Sequence, residues 1–248
     1  MGQGSFGTIE VMEHFTCFQT ATMGTTKLPV GCEGVMYCSA GEGSFEETID
    51  EPGGILNVLL DTNDDENCVL YVGPFKPSDG GVVMEARIKI ADITNEAMFV
   101  GFQETLNATT PVMCAEFATE SFAYNASCGG FAGLQFDKDA TTADWRATAG
   151  DNQIPDFVCD SDDARAYNAP VNDKWDVIRV ELDPNRDTRI YLGEDTGALK
   201  LVKSGTAVMA DSCLVHAVVM MEHRAVSDTT DLLEVDYFYA KGYRDWTV

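Results

Sequence analysis

Apolar and polar residues alternate with a period of two along most of this chain, while stretches with a helical period are scarce. Residues 82–90 read V-V-M-E-A-R-I-K-I, with Met84, Ala86, Ile88 and Ile90 pointing one way and Glu85, Arg87 and Lys89 the other. That is the pattern of an antiparallel strand with one face buried. After a turn at 92–96, the apolar run 97–102 (A-M-F-V-G-F) predicts a more deeply buried strand. A further strand at 131–136 ends in the acidic, Thr-rich loop 137–144, and a short one resumes at 145–149. Residues 175–182 (W-D-V-I-R-V-E-L) alternate again, with Trp175, Val177 or Ile178, Val180 and Leu182 as core candidates. The turn 183–187 leads to a hairpin of 188–192 and 200–202, and two long strands follow at 214–222 and 232–240.

The first 80 residues are less regular. Strands are predicted at 55–60 and 68–72 around the acidic turn Asp61–Glu66, after a Gly-rich stretch at 31–54. No composition break marks a linker, so one sandwich domain is expected over 51–248. Residues 1–50 are read as an N-terminal arm, or as an irregular extension that completes the sandwich. About a dozen short strands separated by polar turns predict an all-β fold, a two-sheet antiparallel jelly-roll sandwich. A doubly wound sheet would need amphipathic helices between its strands, and the sequence has none.

Composition supports a large core, since 45% of the 248 residues are hydrophobic, among them 13 Phe, 8 Tyr and 3 Trp. Charge narrows the functions open to the chain. With 41 acidic and 16 basic residues, the formal net charge is −25. Such a surface repels nucleic acid and anionic membranes, whose binding needs clustered Lys and Arg. It favours solubility and dispersal, and it suits a basic or cation-bound partner surface. No run of about 18 apolar residues is present to span a bilayer. The N-terminus lacks a basic region followed by an apolar stretch, so the expectation is a protein made in a cytosol. Among the eight cysteines there is no C-x-x-C and no zinc spacing, and buried thiols are expected.

Few residues suggest chemistry. Glu234 and Asp236 lie two apart on one strand and so share a face, like the carboxylates of sandwich-fold glycosidases. The next residues are Tyr237, Phe238, Tyr239 and Ala240, so the further glutamate of that pattern is missing. No catalytic residue is therefore assigned, and Asp236 is expected to bond a turn or its own neighbours. His216 falls in an apolar strand and reads as a core or interface histidine, while His223, at a strand end, is expected to be exposed. Asp61, Asn63 and Asp65 supply oxygens of the kind calcium takes, and a solvated acidic turn explains them equally well. No cofactor is otherwise implied.

Several stretches together resemble a known group of proteins. They are the Gly80-Gly81 turn into V-V-M-E-A-R-I-K-I, then M-F-V-G-F-Q-E-T, L-Q-F-D-K-D-A-T-T-A-D-W-R-A, W-D-V-I-R-V-E-L with its hairpin, and L-L-E-V-D-Y-F-Y-A. The upstream D-T-N-D-D-E-N turn followed by G-P-F-K-P fits the same order, which spans roughly residues 50 to 242. This order resembles the concanavalin A-like (laminin G-like) jelly-roll virion proteins of tailed bacteriophages. The resemblance implies a structural protein, made in the host cytoplasm and placed on the capsid exterior. It would decorate or cement that surface through contacts with the major capsid protein or another virion protein. A symmetric homo-oligomer is expected, a trimer first. The alternative is a lectin-like carbohydrate-binding module of a fibre or tail. Lectin sites place aromatics beside Asp or Asn in loops, which makes Tyr124, Trp145 and Tyr167 the candidate glycan or partner contacts.

Overall fold

The computed structural model describes residues 8–15, 21–22, 28–30, 35–40, 43–47, 54–60, 62–64, 66–106, 113–118, 121–151, 154–158, 167–194, 197–225 and 232–243. The strands among them are β1 (Thr8–Glu13), β2 (Ala21–Thr22), β3 (Leu28–Val30), β4 (Val35–Ala40), β5 (Gly43–Glu47), β6 (Leu56–Leu60), β7 (Asn67–Phe75), β8 (Val82–Ile90), β9 (Glu96–Gln103), β10 (Ala115–Ala118), β11 (Ser121–Tyr124), β12 (Phe131–Asp137), β13 (Arg146–Asp151), β14 (Ile154–Val158), β15 (Trp175–Leu182), β16 (Thr188–Glu194), β17 (Lys200–Gly205), β18 (Val215–His223) and β19 (Leu232–Tyr243). The helical elements among the described residues are two short 3₁₀ turns.

All pairings are antiparallel and build two large sheets. One runs β17-β16-β15-β8-β19-β6-β5-β2, with β1 also paired to β19. The other runs β14-β13-β12-β9-β18-β7-β4-β3, and β10 with β11 forms a separate two-stranded ribbon. The fold is an all-β antiparallel sandwich of the expected class. The described residues before 51 add strands to both sheets: β1 joins β19, β5 joins β6, and β4 joins β7.

Alternation explains the layers. Met84, Ala86, Ile88 and Ile90 of β8 face Met98, Val100 and Phe102 of β9 across one continuous core, joined by Ile178, Val180 and Leu182 of β15. Each of these side chains larger than alanine contributes about 1.5–3 kcal/mol by leaving water. The register slips at one informative place, between Val235 and Tyr237 of β19. Leu233 and Val235 point inward before it, and Phe238 and Ala240 point inward after it. Asp236 is the extra residue of this bulge, which keeps both halves of a twelve-residue strand facing the core.

Two inward positions differ from expectation. On β15 the buried set is Asp176, Ile178, Val180 and Leu182, so Trp175 and Val177 face outward instead. Asp176 is held inside because it accepts a hydrogen bond from the Trp145 indole, Nε1 to Oδ2 at 2.9 Å. His223 is fully buried rather than exposed, because β18 runs on to that residue and turns it between the sheets. Its Nδ1 lies 2.9 Å from Oε1 of the equally buried Glu96 on the neighbouring strand.

Candidate functional site

A sandwich has two outer sheet faces, and here they differ. The outer face of the β14–β3 sheet carries Val69, Phe99, Phe131, Val218 and Met220, all fully buried. The β10–β11 ribbon and the residues beside it account for much of this. Gln135 donates to the Ala115 carbonyl, and the Phe117 amide donates to Asp137 Oδ2 at 2.9 Å. Arg146 stacks its guanidinium 4.7 Å from the centre of the Phe117 ring. Tyr124 stacks on Phe131 at 5.4 Å, and its hydroxyl donates to the Gly129 carbonyl. Beneath the ribbon the sheet is drawn tight: a Cβ at Gly101 would strike the Ala132 carbonyl, and one at Gly133 the Val100 carbonyl.

A buried ionic cluster anchors one end of the ribbon. Arg224 binds Asp137 at 2.9 Å and Glu222 at 2.5 Å, with Glu116 of β10 at 3.8 Å. Burial pulls the Arg224 guanidinium down, and these carboxylates outweigh it and hold it above its ordinary value. Cys114 and Cys128 lie under the same ribbon as buried thiols. Burial, followed by the hydrogen bond to Cys128, pushes the Cys114 thiol well up.

The outer face of the β17–β2 sheet is a polar ladder. Arg87 meets Asp236 at 2.7 Å, and Lys89 meets Glu234. Arg179 meets Glu181 at 2.7 Å and Glu85 at 3.4 Å. The Tyr237 hydroxyl donates to Glu85 at 2.7 Å, and Trp175 lies under Arg87 and Lys89 at 4.5 and 5.0 Å. Burial first, then this bond to Glu85, pushes the Tyr237 phenol up. Across β1, β19, β8, β15 and β16, the acids Glu10, Glu85, Glu181, Glu234 and Asp236 are matched one for one by Arg87, Lys89, Arg179, Arg189 and Lys241. The outward charges of these five strands therefore cancel, while Glu46 of β5 adds an exposed acid to the same face.

The predicted contact residues separate. Trp145 is enclosed at 1% exposure, its ring against Phe136, so it presents no face to solvent. Tyr124 is half-buried in the ribbon stack. Tyr167 bridges to Trp145 and lines an open cleft of about 280 Å³ with Asn168, Glu194, Gly197, Lys200 and Val202. In the cleft, Asn168 donates to Glu194 at 2.7 Å, and the Tyr167 hydroxyl donates to the Val202 carbonyl. Sequence reasoning missed Glu194 and Lys200, whose only signal was their place at the ends of a predicted hairpin. Asn63 is exposed and donates to Glu66 at 2.8 Å, while Asp61 and Asp65 lie outside the described residues. Glu234 and Asp236 share the outer face and are engaged by cations of β8, Lys89 and Arg87, so the partner of Asp236 comes from a distant strand and not from a turn or from the residues beside it. Among the described residues no helix is long and apolar enough to cross a membrane.

No family model and no curated protein matches the chain. Solved structures do resemble it. A protein of unknown function from Shewanella oneidensis MR-1 superposes with a TM-score of 0.58 at 13% identity, covering 98% of this chain and 90% of that one. The carbohydrate recognition domain of Emp47p gives 0.53 at 11% identity, covering 98% and 100%. The CBM2 module of the evolved Dit of Lactobacillus casei BL23 phage J-1 gives 0.53 at 10% identity, covering 96% and 97%. At these identities the likeness is one of fold, and that fold is the concanavalin A-like sandwich.

Proposed function

We propose that this chain is a non-catalytic structural protein of a tailed-phage virion, decorating or cementing the outer capsid surface through contacts with the major capsid protein. The observation that carries this reading is the closed outer face of the β14–β3 sheet. The ribbon stacks Tyr124 on Phe131 and ties Phe117 to Asp137 there, so the chain fills with its own residues a face that a ligand would otherwise use. The work is left to outward surfaces. The acid pair nearest to a hydrolase set is neutralised in place by Arg87 and Lys89, which supports a non-catalytic role. The strand order resembling phage virion proteins and the phage module of the same fold support the setting.

Copy number in purified particles tests the proposal. Hundreds of copies beside the major capsid protein are expected, together with saturable rebinding to particles stripped of the chain. A handful of copies would move it to the tail or fibre, and absence from particles would overturn the reading.

A second reading rests on the Tyr167 cleft, where a ring, an amide, a carboxylate and an ammonium converge as they do around sugars. It makes the chain a carbohydrate-binding accessory for host adhesion. Glycan-array binding lost in both Asn168→Ala and Glu194→Gln would establish it. Retention of binding in both variants would remove the cleft from consideration.

A further inference from the structure

The β10–β11 ribbon is held near one end of β12 by the Arg224 cluster around Asp137, the last residue of that strand. Just before β12 begins, at its other end, stand two thiols. The Asn125 amide donates to the Cys114 carbonyl at 2.9 Å, which carries the β10–β11 pairing one residue past the ribbon. Asn125 then caps the 3₁₀ turn Ala126–Cys128, its side chain accepting from the Ser127 amide at 3.0 Å. That turn brings Cys128 back to Cys114, and the two thiols share a hydrogen bond. Both side chains are fully buried.

One sulfur is fixed to the sheet and the other rides on the ribbon. Cys128 Sγ accepts from Gln103 Nε2 at 3.2 Å, and the Cys128 carbonyl accepts from the Thr105 amide at 2.9 Å, so this residue is tied to the end of β9. Cys114 instead leads directly into β10. Cys213 also stands near this end of β12, beside Gly130, but its thiol faces Met209 Sδ at 3.9 Å within the core between the sheets.

We propose that Cys114 and Cys128 form a reversible disulfide that fastens the ribbon to the sheet when the chain meets a small-molecule disulfide as oxidant. One protein thiolate attacks a sulfur of the oxidant, which leaves a mixed disulfide and releases one small thiol. The second protein thiolate attacks the protein sulfur of that bond, which forms the Cys114–Cys128 bond and releases a second small thiol. Two protein thiols thus lose two protons and two electrons, and the oxidant takes up both.

The closed ribbon protects the pair. The thiolate is the reactive form, and burial pushes the Cys114 thiol well up. Oxidation therefore passes through an opened ribbon. Among the described residues the ribbon is two four-residue strands paired only with each other, an element that opens more readily than the sheet beneath it. Once formed, the bond closes the loop from Cys114 to Cys128 and removes those open states. A reducing cytosol keeps the thiols free, and an oxidising exterior closes the bond. The assignment stands apart from the virion proposal and holds in any oxidising setting.

Oxidised glutathione, added to the folded full chain in the absence of denaturant, tests it. Digestion without reduction should yield two peptides joined through Cys114 and Cys128, lighter by two hydrogen atoms and separated again by dithiothreitol. The oxidised ribbon should resist limited proteolysis longer than the reduced one. Cys114→Ser should abolish both the link and the protection, and Cys213→Ser should leave both in place. Asp137→Ala, which loosens the ribbon, should speed the linkage on the order of tenfold or more. Thiols that stay free, a glutathione adduct that never resolves, or a link from either residue to another cysteine such as Cys213 would each overturn the proposal. A rate indifferent to Asp137→Ala would overturn the passage through the opened ribbon.

Discussion

The two outer faces of this sandwich solve the same problem in opposite ways. Both belong to antiparallel sheets whose inner sides form one core, and both have outward positions to fill. The β14–β3 face fills them with Phe99, Phe131, Val218 and Met220 and needs the ribbon to keep them from water. The β17–β2 face fills them with ions and tyrosines that satisfy one another in the plane of the sheet. The first face is therefore part of the folded interior, and the second is free to meet another surface.

The comparison is most easily broken by exchanging small for large on each side. Phe131→Ala should cost about 3–5 kcal/mol, as buried aromatic truncations do, while the outward Trp175→Ala should stay below about 1 kcal/mol; urea unfolding reads both. Equal losses would mean that the ladder face is also interior.

Next in size is the ribbon's ionic anchor. Asp137→Ala removes a partner of Arg224 and the acceptor of the Phe117 amide, and breaking such a buried pair costs about 3 kcal/mol. Limited proteolysis should then cut first near β10 and β11. An unchanged cleavage pattern would show that apolar contacts alone hold the ribbon.

Alkaline titration sharpens the ladder side. Burial, followed by Glu85, Glu10 and Glu181 respectively, raises the phenols of Tyr237, Tyr239 and Tyr191. A phenol raised in the folded state favours folding fully below its unfolded value of about 10, and that stability is lost as pH climbs through the folded value. Ultraviolet absorbance should therefore show these phenolates late, together with unfolding. Early, reversible ionisation without unfolding would contradict the ladder.

The smallest effect concerns a single rung. Arg87→Ala, Asp236→Ala and their double variant should give a coupling below about 1 kcal/mol, because both side chains remain partly in water. A coupling several times larger would mean that the rung is covered.

Much of the fold was legible because alternation is a local signal. The run 82–90 matches β8 residue for residue, and 175–182 matches β15. The ribbon was not legible, because its four-residue strands carry no clear alternation and are specified by what they lie on, Gln135, Asp137 and Arg146. His223 was misplaced for a related reason: only the register against β9 shows that Glu96 awaits it. The same holds for function. Alternation puts Glu85, Arg87 and Lys89 on the outward side of β8, but their partners Arg179, Asp236 and Glu234 come together with them only once distant segments are aligned. Of the candidate contacts, Tyr167 reached a cleft and Trp145 did not, because an aromatic in a polar stretch can serve either as surface or as plug.

The position of β19 has a consequence for how the protein forms. This strand stands between β8 and β6 and also carries β1. Its contacts reach back 149 residues from Asp236 to Arg87 and 229 from Tyr239 to Glu10. During synthesis β8 must therefore wait with one edge unpaired until β19 leaves the ribosome, exposing an alternating apolar strand that invites pairing with other chains. Folding should be slow, because loops of that length must close before any contact repays them. The strong negative charge matters most in that interval, when it holds half-made chains apart until the central strand arrives.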